Sequence, residues 1–234
     1  MDLRTFDVPR YLSVLPLFND ISREHLEALA KGCTLRRYAN GEDVFRVGDP
    51  CEEFHVTVTG QIKLFVISPA GREKVIQLVG PGNSFAEALM FTGRPYIVNA
   101  QALVDTLLLT VKKAALVAQI TTDPKLAMCM LAGISRRLHG LVADVESYAL
   151  HSGVQRVVGY LLRDQTHDKN DTTDPITVSL PVSKATIASR LSLTPEYFSR
   201  VLHELEGAGL IEIDRRDIRI PDAPRLARYP VNHA

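Results

Sequence analysis

Between Leu180 and Pro221 the chain carries two helix starts separated by a tight turn, then a glycine stop and a short alternating run. No other stretch restricts the fold as strongly. In PVSKATIASRLSLTPEYFSRVLHELEGAGLIEIDRRDIRIPD, Ser183 is placed to cap a first helix whose Ile187 and Leu191 lie on one buried face. Thr194 and Pro195 mark a second start: Thr caps well, Pro at the first helical position gives up a hydrogen bond the helix did not need, and Glu196 suits the positive end of the dipole. Phe198, Val201, Leu202 and Leu205 form the buried stripe of this second helix, which leaves Glu196, Tyr197, Ser199, Arg200 and His203 on its other faces. Gly207 and Gly209 stop it. Leu210, Ile211 and Ile213 then alternate, Asp214 to Asp217 turn, and Ile218 and Ile220 return as a β-hairpin. Helix, turn, helix and hairpin in this order predict a winged helix-turn-helix, a unit that presents its second helix to the major groove of double-stranded DNA.

Upstream, residues 33–111 have a different texture. The runs Phe54–Thr59, Gln61–Ile67 and Lys74–Val79 are β-branched and partly alternating, and Gly41, Gly48, Gly60, Gly71, Gly80, Gly82 and Gly93 punctuate them. This predicts an antiparallel roll or jelly roll. Ser22 to Lys31 reads as a short capped helix on the roll, with Leu26, Leu29 and Ala30 inward. Residues 124–150 predict one long helix with Pro124 in its first turn. On it Leu131, Ile134, Leu138, Leu141, Val145 and Tyr148 recur with a seven-residue period, the seam of a helix that meets another of its kind. Such a seam could instead lie on the roll. Gly133, Gly140 and Ala143 allow close helix approach, and a reader of DNA half-sites needs a two-fold partner, so homodimerisation is the expectation. His151 to Gly153 reads as a hinge and the polar segment 164–174 as a loop. The fold class is therefore α+β, in three parts: a sensor roll over 1–123, a dimerisation helix over 124–150, and the winged helix-turn-helix over 151–234.

Charge is less helpful. The chain has 27 Lys and Arg against 27 Asp and Glu, and from His151 onward there are eleven of each. Only the local balance is basic, with Lys184, Arg190 and Arg200 against Glu196 between Pro181 and His203. Phosphate attraction per monomer is then small, which again favours a dimer. Ser183, Lys184 and Thr194 are the expected contacts to the DNA backbone, and Glu196, Ser199 and Arg200 to the bases. The bland alternative for Glu196 and Arg200 is a solvated face with a local ion pair.

No run of 18 apolar residues and no signal-peptide order at the N-terminus appear, so the protein is expected in the cytoplasm and off membranes. Three cysteines, Cys33, Cys51 and Cys129, without a CxxC, predict reduced thiols and neither a disulfide framework nor a zinc knuckle. No Gly-x-Ser-x-Gly, His-Glu-x-x-His, P-loop or kinase signature is present, so no enzyme activity is expected.

Three motifs taken in order, Asn40–Asp49, Gly71–Glu87 and the helix-turn-helix, resemble the CRP/FNR superfamily of bacterial transcription regulators over nearly the whole chain. The resemblance implies a cyclic-nucleotide-binding-like roll, a homodimer, RNA polymerase as a partner and, more often than not, activation. Glu196, Ser199 and Arg200 match the E-x-x-S-R pattern of the FNR branch, which implies TTGAT half-sites in an inverted repeat. A cAMP-responsive roll would carry Phe-Gly-Glu followed by an Arg-Ser pair. This chain has Phe85-Ala86-Glu87 and then Arg94-Pro-Tyr-Ile-Val-Asn-Ala, so the clamp for a cyclic phosphate is missing and cAMP is not expected. The first 32 residues hold no cysteine, so no iron-sulfur cluster of the oxygen-sensing kind is expected either.

Phe85-Ala-Glu-Ala-Leu-Met-Phe, Ser135-Arg-Arg-Leu-His and Pro195-Glu-Tyr-Phe-Ser-Arg look like the DNR/NNR branch of denitrification regulators. That resemblance implies a response to nitric oxide through haem. The effector pocket would draw on Phe85, Glu87, Met90, Phe91 and Arg94, and the iron ligand on His25, His55, His139 or His151, each of which could equally be a surface or structural histidine. A cyclic nucleotide or another gas or redox signal is the alternative effector.

Overall fold

The computed structural model describes residues 6–18, 21–163 and 175–229. Two compact units divide the chain, Met1–Gly140 and Leu141–Ala234. The long helix contributes to both.

The first unit begins with α1 (Val8–Ser13), capped by Asp7, then a single 3₁₀ turn at Pro16–Phe18 and α2 (Arg23–Ala30), where the Ser22 side chain accepts from the His25 amide. α2 buries Leu26 and Leu29, as their spacing requires, while Ala30 is only partly covered. Eight strands follow: β1 (Cys33–Tyr38), β2 (Asp43–Phe45), β3 (Glu53–Thr59), β4 (Ile62–Ile67), β5 (Glu73–Val79), β6 (Ser84–Phe85), β7 (Asn99–Ala102) and β8 (Thr106–Lys112). They pair antiparallel in two four-stranded sheets, ordered β1-β8-β3-β6 and β2-β7-β4-β5. This is the expected roll. β3 and β8 lie inside their sheet, and β8 is buried from Thr106 to Val111 on both faces, which explains its continuous rather than alternating apolar run. The β3–β4 turn uses Gly60 at φ +90; a Cβ there would come within 2.3 Å of the Thr106 hydroxyl, so neither the turn nor the space admits a side chain. Phe54, Val56, Ile62, Phe85, Leu108 and Leu109 fill the core between the sheets. The one-turn helix α3 (Glu87–Met90) interrupts the roll, and α4 (Lys113–Thr122) leads out of it.

α5 spans Pro124–Leu150, as the seven-residue period predicted. The seam residues Leu131, Leu138, Leu141 and Val145 are between 42% and 66% exposed, and Ile134 is half-buried. Leu131 and Leu138, within the first unit, do not lie on the roll. Tyr148 keeps the period but corrects one expectation, because its hydroxyl is tied into its own unit by Arg190. By length and composition α5 would suffice to cross a membrane, with a mean hydropathy of 1.2 over 18 residues of which 11% are buried. Its helical period sets the seam along one face and puts Arg136, Arg137 and Asp144 elsewhere. That distribution suits a partner helix better than lipid on all sides.

In the second unit, α6 (Gly153–Leu162) starts with a complete capping box formed by Ser152 and Gln155. Next come β9 (Ile176–Ser179), α7 (Lys184–Arg190), α8 (Pro195–Gly207), β10 (Glu212–Asp214), β11 (Asp217–Ile220) and α9 (Ala223–Arg228). The wing is a three-stranded sheet, β10-β11-β9, rather than the two-stranded hairpin expected. The polar segment 164–174, expected as a loop, lies outside the described residues, and β9 follows it without a turn or cap signal of its own.

Candidate nucleic-acid interface

Each helix of the motif is held at its start by one hydroxyl. Ser183 Oγ accepts from the Thr186 amide at 3.2 Å and Thr194 Oγ1 from the Tyr197 amide at 3.2 Å. Between the helices the chain turns through Ser192 at φ +57, and the Leu193 amide closes onto the Ala188 carbonyl at 2.9 Å. Phe198, Val201, Leu202 and Leu205 are buried. With that stripe inward, the rotation of α8 is fixed: Glu196, Arg200 and His203 are exposed and Ser199 is half-buried beside them.

The alternative of a local ion pair between Glu196 and Arg200 is not what the described residues form. Arg200 instead places its guanidinium 4.8 Å from the centre of the Tyr197 ring. Tyr197 is itself packed against Gly153, where a Cβ would come 2.4 Å from the ring. An aromatic shelf thus leaves the guanidinium's hydrogen-bond donors unused among the described residues. The sequence put Tyr197 on an outer face; only its i, i+3 relation to Arg200 hinted at the shelf.

Ser183 and Thr194 are exposed, but their oxygens already accept the cap bonds, so a phosphate would meet their hydroxyl hydrogens and the amides beside them. Lys184 is half-buried at the start of α7. Arg190, counted with the local positive charge in the sequence, is turned inward instead: its side chain is 11% exposed, 2.5 Å from Asp144. The outward cations of the motif reduce to Lys184 and Arg200. Arg215 and Arg216, exposed at the wing's turn, add two more that lie outside the Pro181–His203 stretch.

The five effector candidates do not converge. Phe85 and Met90 are core residues, whereas Phe91 and Arg94 are exposed on the surface. Glu87, 4% exposed, lines a cavity of about 270 Å³ together with Gln77, Ser84, Arg136 and Arg137. Arg137 occupies it: the guanidinium donates to Glu87 Oε1 and to the Ser84 carbonyl, both at 3.2 Å, and to Gln77. Ala86 sits at φ +69, the left-handed region in which glycine is at ease, so the Phe-Ala-Glu departure keeps the backbone turn at some strain.

The four candidate histidines do not come together. His25 Nδ1 lies 3.0 Å from Asp123, and His139 and His151 are exposed. His55 is buried between Phe45 and Phe85, with Nδ1 3.1 Å from Thr110 Oγ1 and Nε2 without a partner. Burial, helped by Arg36, lowers its pKa to about 3, so the imidazole is neutral. Its free Nε2 has the chemistry of an iron ligand, but aromatic rings pack its faces. The cavities beside Glu87 and between Asp7 and Leu26 contain no histidine, whereas His151 borders a cavity of about 420 Å³ in the second unit together with Tyr148 and Arg156. As packed between Phe45 and Phe85, His55 does not fit a haem. Among the described residues no group of three His, Cys, Asp or Glu could hold a metal ion. The cysteines form no disulfide, and burial pushes the Cys33 thiol up to about 12.

A roll joined through a long helix to an exposed, pre-organised recognition helix defines a DNA-binding transcription regulator. Residues 35–123 match the family described as Cyclic nucleotide-binding domain, and residues 155–229 that described as Crp-like helix-turn-helix domain. The solved structure of DNR from Pseudomonas aeruginosa is 35% identical over 93% of this chain and 95% of that one, with a TM-score of 0.50. The nitrogen fixation regulation protein FixK of Azorhizobium caulinodans is 28% identical over 82% of this chain and 77% of that one. FixK2 from Bradyrhizobium japonicum, 24% identical over 83% of this chain and 95% of that one with a TM-score of 0.73, shares the fold. The chain belongs to the CRP/FNR family of transcription regulators.

Proposed function

We propose that the protein binds FNR-like TTGAT inverted repeats as a homodimer and activates transcription under the control of a small effector. The observation that carries this reading is the set of Glu196, Ser199 and Arg200 on the outer face of α8, with the guanidinium stacked on Tyr197 and free of carboxylates among the described residues. Arg200 can pair bidentately with a guanine, Glu196 can accept from an exposed base amine, and Ser199 leaves room for a thymine methyl. Lys184, Ser183 and Thr194 hold the phosphates on either side. The exposed ladder Leu131, Leu138, Leu141 and Val145 supplies the two-fold interface. Titration with a TTGAT palindrome and with a scrambled duplex at one fixed salt tests the reading; equal affinity for both sinks it. Transcription in a purified system with RNA polymerase tests activation, and recovery in the soluble fraction without detergent tests a cytoplasmic location.

For the signal, the likeness to DNR and the segments around Phe85, Ser135 and Pro195 favour nitric oxide and denitrification genes. A cyclic nucleotide is disfavoured by the missing Arg-Ser pair and by Arg137 on Glu87. For haem, His55 would have to part from Phe45 and Phe85 to reach iron. Absorbance of protein purified from haem-sufficient cells, before and after anaerobic nitric oxide, decides it: a Soret band that shifts supports haem sensing, and a colourless protein that binds cAMP tightly overturns it.

A further inference from the structure

Arg190 is a buried guanidinium in a motif whose other cations face outward. Its Nη2 donates to Asp144 Oδ2 at 2.5 Å and its Nη1 to Tyr148 Oη at 2.6 Å. The Tyr148 hydroxyl then donates to the Arg190 carbonyl at 2.7 Å, so a single side chain receives the guanidinium and caps the end of α7. Asp144 and Tyr148 are one turn apart on the last part of α5 and therefore share a face. Beyond Ser152, Arg156 of α6 donates to the Leu191 carbonyl at 2.8 Å. The turn that carries α8 is thus gripped from both helices flanking residues 151–153, where the sequence suggested a hinge. Ser192, in the same turn, holds a left-handed φ of +57 that a side chain adopts reluctantly, and such a conformation persists only where its surroundings fix it.

We propose that Asp144, Tyr148 and Arg190 form a positioning lock that fixes α8 on the end of α5 and so sets the half-site spacing the dimer accepts. The inference rests on the palindrome-binding reading above. None of the three touches DNA; Asp144 and Tyr148 act through Arg190, and Arg190 through the turn it closes. A guanidinium can serve a carboxylate and a hydroxyl at once only from one orientation, which makes the contact a discrete state rather than a soft one. Each base pair added between half-sites displaces them by about 3.4 Å and rotates them by about 35°. Recognition helices held firmly reject the wrong spacing, and loosened ones tolerate it.

Binding titrations of the full-length protein on palindromes of graded spacer length, and on scrambled DNA, test this for wild type, Asp144→Asn and Tyr148→Phe. The spacer bound best by wild type defines the reference. In both variants the preference for that spacer over one a base pair longer or shorter should fall about tenfold, with affinity for scrambled DNA and the fraction of dimer unchanged. Tyr148→Phe removes a hydroxyl and keeps the ring, so it stays folded even where Asp144→Asn does not. Variants that keep the wild-type spacer preference overturn the lock, as do losses that are equal on every duplex and follow the thermal midpoint. Wild type that fails to prefer any palindrome over scrambled DNA overturns the DNA reading and takes the lock with it; a preference shared by wild type and variants overturns the lock alone.

Discussion

Two arginines of one motif meet opposite fates. Arg190 and Arg200 both read as surface cations in the sequence, yet the fold turns the first onto Asp144 and stacks the second on Tyr197. Arg200 is then the side chain whose loss should show most clearly in base reading. Arg200→Ala should cut discrimination at the guanine of the half-site by about 1–3 kcal/mol while leaving binding to scrambled DNA nearly unchanged, as competition between single-base variants of the site will measure. At His55 the consequence is for stability. The ordinary imidazole value is 6.5 and the folded one about 3. Between them the unfolded chain binds the extra proton, so stability is full above about 6.5 and declines as the pH falls, by up to about 1.4 kcal/mol per unit. Urea midpoints at pH 7.5 and 5 should therefore diverge more for wild type than for His55→Leu, which has no imidazole to titrate at that position. An equal divergence would mean that His55 is protonated in the folded chain.

At the scale of elements, local chemistry was legible at several helix starts but not at α1 or α9, although Asp7 and Asp222 cap them just as well. The Ser22, Ser183 and Thr194 caps and the period of α5 located four helices, and the partly alternating runs at 54–59, 61–67 and 74–79 located β3, β4 and β5. What was not legible depends on packing between elements. β9 has an ordinary short strand sequence that gains its identity only by pairing with β11. The effector residues were grouped by nearness in sequence, but β6 and α3 pass from the core to the surface within a few residues, so Phe85 and Phe91 end on different sides. Arg137 lies within Ser135–His139, a segment that resembles the DNR/NNR branch; its reach across to Glu87 depends on the roll being in place. The ladder on α5 yields the element-scale prediction. Leu138, 59% exposed, gains nothing from staying apolar in a monomer. Leu138→Asp should leave the monomer folded but convert dimer to monomer in sedimentation, and with it abolish binding to the palindrome. A variant that remains dimeric places the interface elsewhere.

For the molecule as a whole, the balance of 27 cations and 27 anions means that attraction to DNA comes from placement rather than net charge. With Arg190 neutralised internally, each copy of the helix-turn-helix brings few cations to the phosphates, and two-fold symmetry doubles whatever it brings. Every phosphate neutralised releases counterions, so the logarithm of affinity falls with the logarithm of salt by about 0.9 per contact. Lys184→Ala removes one such contact from each half-site. Its salt dependence should be shallower than wild type by about 2, with the order of preference among half-site sequences unchanged, because phosphate contacts carry no base information. A change of about 1 would mean that a single half-site is engaged, and no change would place Lys184 away from DNA. The same experiment thus counts the copies of the reader on the duplex, joining the charge of one side chain to the symmetry of the assembly.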